Sequence, residues 1–297
     1  MTCETEMTAE RHPVTVAELM EMRRRREPIV MVTAYDHPTA RIAEAAGVDV
    51  VLVGDSAANN VLGYDDTVPI TVDELLMLSG AVRRGLRIPL LVGDLPFGSY
   101  EASDERAVLT AQRFIKEARV DAVKLEGGIR SASRVSAITA AGIPVMGHIG
   151  LTPQTASISG GYRVQGKSAD SATHLFEDAG ILQEAGCFAL VVEAVPASVA
   201  SLLVEQLEIP VIGIGAGAST DGQVLVFHDI VGLQEQPPPR FAKRFINAHE
   251  IMLRGMSQYV EDVRSRRFPS EDHVYKISAS ELALLQSSTA SSDHPQN

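Results

Sequence analysis

The chain predicts an α/β fold, an eight-stranded (β/α)8 TIM barrel, on two observations. Eight short runs rich in Val, Ile and Leu alternate with helix-patterned segments, most of which stop at Gly. Uninterrupted apolar runs of this kind suit strands of a parallel sheet covered on both faces. The second observation is that four of the runs end on a carboxylate. Val50–Gly54 runs into Asp55, Leu90–Gly93 into Asp94, Asp121–Leu125 into Glu126 and Phe188–Val192 into Glu193. A carboxylate beside apolar strands is costly unless it faces a shared polar site. In a parallel barrel every strand's carboxyl end opens on one face, and that face carries the chemistry.

In chain order, the first helix is expected over Val14–Met22, with the basic run Arg23–Arg26 at its C-terminal end, where cations suit the dipole. The strands are expected at Ile29–Thr33, Val50–Val53, Leu90–Val92, Ala122–Leu125, Pro144–Met146, Phe188–Val192, Val211–Ile214 and Val224–Phe227. Pro38–Ala46 is Ala-rich and stops at Gly47; Val72–Arg84 follows Thr71 as N-cap and stops at Gly85. Ser103–Arg119 starts on its own cap, Ser131–Ala141 stops at Gly142, Ala169–Ala185 at Gly186, and Ala197–Gln206 follows Pro196. Hydroxyl starts and glycine stops are the expected helix punctuation. Ile88-Pro89, Ile143-Pro144 and Ile209-Pro210 each lead into a strand, and proline is tolerated at a strand's first residue. A doubly wound open sheet is the alternative. Against it, no Gly-x-Gly-x-x-Gly follows the first strand, and Gly213–Gly217, after the seventh, reads as backbone lying close to a neighbour or ligand.

Two connections are long, Gly54–Thr71 and His148–Ser168, and both lie on the carboxyl-end face, where long loops act as lids or binding loops. Beyond the barrel come a stiff connector, Gln236–Pro239, helical stretches Phe241–Arg254 and Met256–Arg266, and a Ser/Thr-rich end, Gln286–Asn297, expected to be disordered. The division expected is a flexible 1–13, one catalytic barrel with its C-terminal helices over 14–268, and a partly disordered tail, 269–297.

The chain has 297 residues, 26 basic against 38 acidic, for a net charge of -12. That argues against a nucleic-acid binder or a membrane-surface protein. No apolar stretch reaches the roughly 18 residues of a membrane span. Cys3 and Cys187 make no disulfide framework; Cys3 lies in a loose terminus and Cys187 reads as a buried core thiol. Met1–His12, with three glutamates and no apolar core, reads as neither a signal nor a typical transit peptide. The expected compartment is the cytoplasm, or the mitochondrion where a transit peptide has been removed.

Asp55, Asp94 and Glu126, converging, are ligands for a hard cation such as Mg2+, with water and substrate oxygens completing the shell. Lys124 and Glu126 are two apart, so both point to one side of their strand; with Leu125 packed outward, both charges face the mouth. Lys124 then offsets an anionic substrate or pairs with Glu126 or an aspartate. Glu193 follows five apolar residues, which raises its proton affinity and suits a general base; the alternative is a salt bridge to a neighbouring loop. His148 donates to substrate or is structural, and His228 reads as structural.

Ordered blocks across residues 30 to 245 resemble the ketopantoate hydroxymethyltransferase family. They are Val32–Asp36, Val53–Ser56, Gly93–Phe97, Val123–Gly128, Gly147–Gln154, Gly160–Gly166 and Ile212–Gly217. The stretch Tyr275–Leu282 resembles the eukaryotic-type branch. The resemblance implies a barrel of the phosphoenolpyruvate/pyruvate-domain type, assembled as a homodecamer. It implies transfer of a one-carbon unit from 5,10-methylenetetrahydrofolate to 3-methyl-2-oxobutanoate, giving ketopantoate on the way to pantothenate. Asp55, Asp94 and Glu126 would hold Mg2+, Glu126 through water. Asp55, Ser56, Asp94 and Lys124 would contact the keto acid, and Glu193 would accept the proton. A metal on the ketone favours loss of the adjacent C–H proton, and the resulting enolate attacks the one-carbon donor. The chain departs from the family at Asn59-Asn60, where Met and Val are usual, and at Ala194, where Cys is common. The rival is a Mg2+-dependent carbon–carbon lyase or mutase of the isocitrate lyase or phosphoenolpyruvate mutase type; those use a lid nucleophile, and His148–Ser168 contains no Cys.

Overall fold

The computed structural model describes residues 11–156 and 161–290. The expectations placed on residues 1–10, on four residues of the second lid (157–160) and on 291–297 fall outside them. The chain divides into two compact units, Met1–Ile246 and Asn247–Asn297.

In the first unit eight strands close a parallel barrel in chain order: β1 (Ile29–Thr33), β2 (Val50–Val53), β3 (Leu90–Asp94), β4 (Ala122–Glu126), β5 (Val145–Gly150), β6 (Ala189–Glu193), β7 (Val211–Ile214) and β8 (Gly222–Leu225). Its helices are α1 (Val16–Arg25), α2 (His37–Ala46), α3 (Ala57–Asn60), α4 (Val72–Gly85), α5 (Asp104–Arg113), α6 (Ala132–Ala140), α7 (Ala169–Glu184), α8 (Ala197–Gln206) and α9 (Phe227–Val231).

Period-two alternation sorts the strand side chains into two buried layers. Met31, Val50, Leu52, Val92, Ala122, Met146, Ala189 and Val191 fill the barrel interior, with Leu19 and Met22 of α1 in the same cluster. Their neighbours Val51, Val53, Leu91, Val123, Leu125, Leu190 and Val192 pack with helix residues in the surrounding layer. Continuing the inward row by two residues on β3, β4, β5 and β6 reaches Asp94, Lys124, His148 and Glu193, and two further on β4 reaches Glu126. The interior is therefore apolar along its length and charged at its carboxyl end. Leu125 packs outward, as the two charges at Lys124 and Glu126 required.

Capping chemistry places the helices where the sequence does. Thr71 and Ser168 accept from the backbone N–H three residues on, each in a reciprocal capping box. α5 opens on the Ser103 cap and passes into a wider π-type turn over Phe114–Ala118, which ends at Arg119 with φ 57°. Arg23 does more than meet a dipole: its guanidinium donates to the carbonyls of Val204, Leu207 and Ile209 and lies 3.2 Å from Asp221.

Several boundaries differ from expectation. β8 begins at Gly222, where a Cβ would come within 2.4 Å of the Ile29 carbonyl oxygen. A strand that must lie this close to β1 opens on glycine, which propensity reads as loop; Phe227, expected in the strand, opens α9 instead. β5 runs on to Gly150, through His148. Of the helices expected over Phe241–Arg254 and Met256–Arg266, residues 241–247 form none, and the rest are one helix, α10 (Ala248–Arg264), because Gly255 meets nothing and is tolerated. Gln286–Ala290, expected to be disordered, ends α11 (Ala279–Ala290), an Ala/Leu-rich segment of strong helix formers.

Candidate active site

The carboxyl-end mouth is a cavity of about 610 Å3. Its wall includes every residue nominated for the site from the sequence: Asp55, Ser56, Asp94, Lys124, Glu126, His148 and Glu193. His228 does not line it; its ring packs 5.4 Å from that of Tyr35.

Strand register sets the neighbours. Asp94 pairs with Lys124 and Glu126 with His148 across adjacent strands, while Gly150 pairs with Glu193. Lys124 Nζ lies 2.7 Å from both oxygens of Asp94 and 3.8 Å from Glu126 Oε1. Burial disfavours the ammonium, but Asp94, Glu126 and Asp55 outweigh it and hold its pKa above the ordinary value. His148 is flanked by two acids: Nδ1 is 3.2 Å from Glu126 Oε1 and Nε2 is 3.2 Å from Glu193 Oε2. Both contacts are out of line for directed hydrogen bonds, so they act as charge contacts. Burial and Lys124 oppose a charged imidazole, yet the two glutamates win and push it up to about 9. Burial likewise opposes a charged Glu126, but His148, Lys124 and the Gln154 N–H hold its pKa below the usual value.

Asp55 is the misfit. Burial, then the charges of Asp94 and Glu126, push its pKa up to about 8. Its Oδ2, like Glu126 Oε1, is buried without a hydrogen-bond partner. Buried carboxylate oxygens that repel one another and lack donors are what a hard divalent cation satisfies. Among the described residues, however, no three His, Cys, Asp or Glu side chains are gathered closely enough to hold a metal by themselves. Lys124 occupies the cationic position beside Asp94. The protein thus offers part of a shell, which suits Mg2+, an ion that keeps several waters and takes further oxygens from substrate.

The loops fix these groups from outside. Gly150 has φ 90° and no room for a Cβ, which would sit 2.2 Å from the Glu193 carbonyl oxygen. Leu151 N–H donates to that oxygen at 2.9 Å, and Gln165 N–H donates to the Ala194 carbonyl at 2.9 Å. Both ends of the second lid are therefore tied to the strand end that carries Glu193. Ala194 itself has φ 50°, a left-handed turn held by its N–H bond to Ile214. In the first long connection, Asn59 Nδ2 donates to the Tyr64 carbonyl at 2.9 Å and Asn60 Nδ2 to the Ser56 carbonyl at 2.7 Å. The two amides that depart from the family pattern brace α3.

Three buried residues carry weight that sequence reasoning did not assign. Gln154 N–H donates to Glu126 Oε2 at 3.0 Å, its side chain donates to the Leu95 carbonyl, and the Tyr100 hydroxyl donates to its Oε1 at 2.8 Å. The Tyr35 hydroxyl lies 2.8 Å from Ser56 Oγ. The Gln154 and Tyr35 positions stand in motif blocks already singled out, which was their only signal; Tyr100 had none.

Residues 13–271 match a family model described as ketopantoate hydroxymethyltransferase. The chain is 49% identical over 261 residues, 88% of its length and 94% of the relative's, to the 3-methyl-2-oxobutanoate hydroxymethyltransferase of Shouchella clausii. It is 51% identical over 276 residues, 91% of its length and 76% of the relative's, to 3-methyl-2-oxobutanoate hydroxymethyltransferase 1, mitochondrial, of Oryza sativa subsp. japonica. Among solved structures it is similar to a phosphoenolpyruvate phosphomutase from Streptomyces platensis subsp. rosaceus, with TM-score 0.58 and 16% identity over 93% of this chain and 96% of that one. It is also similar to phosphonopyruvate hydrolase in complex with oxalate and Mg2+, with TM-score 0.58 and 13% identity over 94% and 96%. At such identities the structural likeness speaks for the barrel alone.

Proposed function

The chain belongs to the ketopantoate hydroxymethyltransferase family, and we propose that it converts 3-methyl-2-oxobutanoate to ketopantoate with Glu193 as the base. The observation that carries this reading is Glu193 at the cavity wall, 3.2 Å from His148 and across the mouth from the Asp55–Asp94–Lys124 group. Water adds to the methylene carbon of 5,10-methylenetetrahydrofolate and both C–N bonds break, so that tetrahydrofolate leaves and formaldehyde remains. Glu193 takes the proton from carbon 3 of the keto acid, the electron pair left behind attacks the formaldehyde carbon, and the formaldehyde oxygen takes up a proton to become the new hydroxyl. His148, charged between Glu126 and Glu193, holds the carboxylate of the base in place. Lys124, Ser56 and Asp55 hold the keto acid; the ammonium of Lys124 faces its carboxylate.

Asp55 and Asp94 would hold Mg2+, with Glu126 acting through water and the keto acid's oxygens contributing to the shell. When bound, the ion is a Lewis acid that draws electron density from the ketone and makes the adjacent C–H more acidic. The apolar ring of Leu52, Val191, Val224 and Ile214 in the same cavity suits the isopropyl group and keeps water from the carbanion.

We place the protein in an aqueous, reducing compartment: the cytoplasm, or the mitochondrion where a transit peptide has been removed. Its acidity and sparse cysteines support that. We also propose a homodecamer. The exposed Ile251, Met252, Leu253 and Met256 of α10 support self-association, and light scattering should report the mass of ten chains.

The test is deuterium exchange at carbon 3 of 3-methyl-2-oxobutanoate in D2O, followed by NMR. Exchange should require Mg2+ and fall at least about 100-fold in Glu193→Gln, the usual contribution of a general base. Undiminished exchange in the variant would remove Glu193 from the role.

A further inference from the structure

The last residue of β4 is held by groups that the reaction itself does not use. The Glu126 peptide is pinned on both sides: the Tyr100 hydroxyl accepts from its N–H at 3.3 Å, and Ser131 Oγ donates to its carbonyl at 2.8 Å. The carboxylate is pinned at one oxygen, where the Gln154 N–H donates to Oε2 at 3.0 Å. Gln154 belongs to the first turn of the second lid, Pro153–Thr155. Its side chain is seated in turn, Oε1 accepting from the Tyr100 hydroxyl at 2.8 Å and Nε2 donating to the Leu95 carbonyl at 3.0 Å. Leu95 directly follows Asp94, so Gln154 bridges the ends of the two strands that carry Asp94 and Glu126. Tyr100, Glu126 and Gln154 are all buried.

This clamp gives the two oxygens of Glu126 different duties. With Oε2 engaged, the carboxylate cannot turn without breaking a buried hydrogen bond. Oε1 is left buried with no hydrogen-bond partner, 3.8 Å from Lys124 Nζ and 3.2 Å from His148 Nδ1. A buried acceptor kept from its donors is costly unless another group satisfies it. Lys124 is the rival for that atom. A carboxylate free to turn would close the 3.8 Å gap to the ammonium, and Oε1 would be lost to any other cation.

We propose that Gln154 and Tyr100 are positioning residues that hold Oε1 of Glu126 for the water shell of the cation that Asp55 and Asp94 would bind, and so couple the second lid to metal affinity. This rests on the reading of Asp55, Asp94 and Glu126 as the Mg2+ site. Coupling of this kind is reciprocal: a seated turn tightens the metal, and the metal tightens the turn.

Calorimetry of the metal-free protein with Mg2+ alone, at one pH, gives Kd for Tyr100→Phe and Gln154→Met, each with Glu126 intact and in a Glu126→Gln background. Each change should raise Kd about fivefold, the size of one neutral hydrogen bond. In Glu126→Gln the amide oxygen takes the Gln154 N–H and no second oxygen is left for the shell, so neither change should matter. A merely structural pair would lower the urea midpoint and leave Kd unmoved, or raise Kd equally in both backgrounds; either result would overturn the proposal. Hydrogen exchange reads the reverse direction on the unaltered protein, and it decides alone should the variants fail to fold. Saturating Mg2+ should slow exchange of the Gln154 amide about fivefold more than that of the Leu151 amide, which is bonded to the Glu193 carbonyl instead. Equal slowing of the two would overturn the coupling. Absence of Mg2+ binding by the unaltered protein would overturn the metal reading and this inference together.

Discussion

His148 joins the two glutamates of the mouth, and its charge is a pH-dependent part of the metal-free fold. Its folded pKa of about 9 stands above the ordinary 6.5. The stabilisation is therefore fully present below pH 6.5 and lost as pH rises through about 9. Thermal melts of the metal-free protein should show this loss between those values, and His148→Gln should remove that portion of the slope. A variant that kept the full slope would show that another group titrates. At this scale the sequence was legible where one residue's position decided its role. Asp94, Glu126 and Glu193 are strand-end carboxylates, and two-residue alternation aimed Lys124 inward. It was illegible where the role needs a distant partner. Gln154 serves Glu126 from 28 residues away and Tyr100 serves Gln154 from 54, and no local pattern encodes such pairs. Lys124 carried two readings, and the ion pair with Asp94 was one of them.

Between elements, close approach selects residues that propensity alone would reject. Gly93 sits inside β3 because a Cβ there would lie 2.5 Å from the Phe114 ring. Gly93→Ala should therefore destabilise the fold by about 2 kcal/mol through overpacking, read as a lower urea midpoint at unchanged slope. Equal stability would mean that the π-type turn carrying Phe114 yields freely. The same reasoning explains which elements could be read from sequence. β1 to β7 declared themselves because, Val30 of β1 apart, their positions are largely buried on both faces and nearly all apolar. β8 carries Gly222 and an exposed Gln223, so its pattern placed it two residues late, at Val224–Phe227. α3 is a four-residue helix made by local amide bonds from Asn59 and Asn60, too short for any periodic signal.

For the whole barrel, the acids at the mouth set a proton-linked affinity for metal. Asp55 holds its proton up to about pH 8, against 3.8 ordinarily, so the metal-free fold also loses stability as pH rises across that interval. Mg2+ must displace the proton. Its affinity should rise with pH and level off near 8, and at pH 7 binding should release a proton, seen by calorimetry in buffers of different ionisation enthalpy. Identical heats in those buffers would mean that Asp55 is already ionised. Asp94→Ala should abolish binding in the same instrument.

The inward row of β3 to β6, apolar until its last positions, has a consequence for how the chain finds its fold. A one-residue slip of β4 would turn Lys124 and Glu126 into the hydrocarbon layer under the helices and Leu125 into the mouth. Each alternative closure would strand two unpaired charges, a penalty large enough to empty that basin. The charged end thus works as an alignment mark during assembly: a barrel closed out of step is rejected by the same groups that a correctly closed one offers to its substrate.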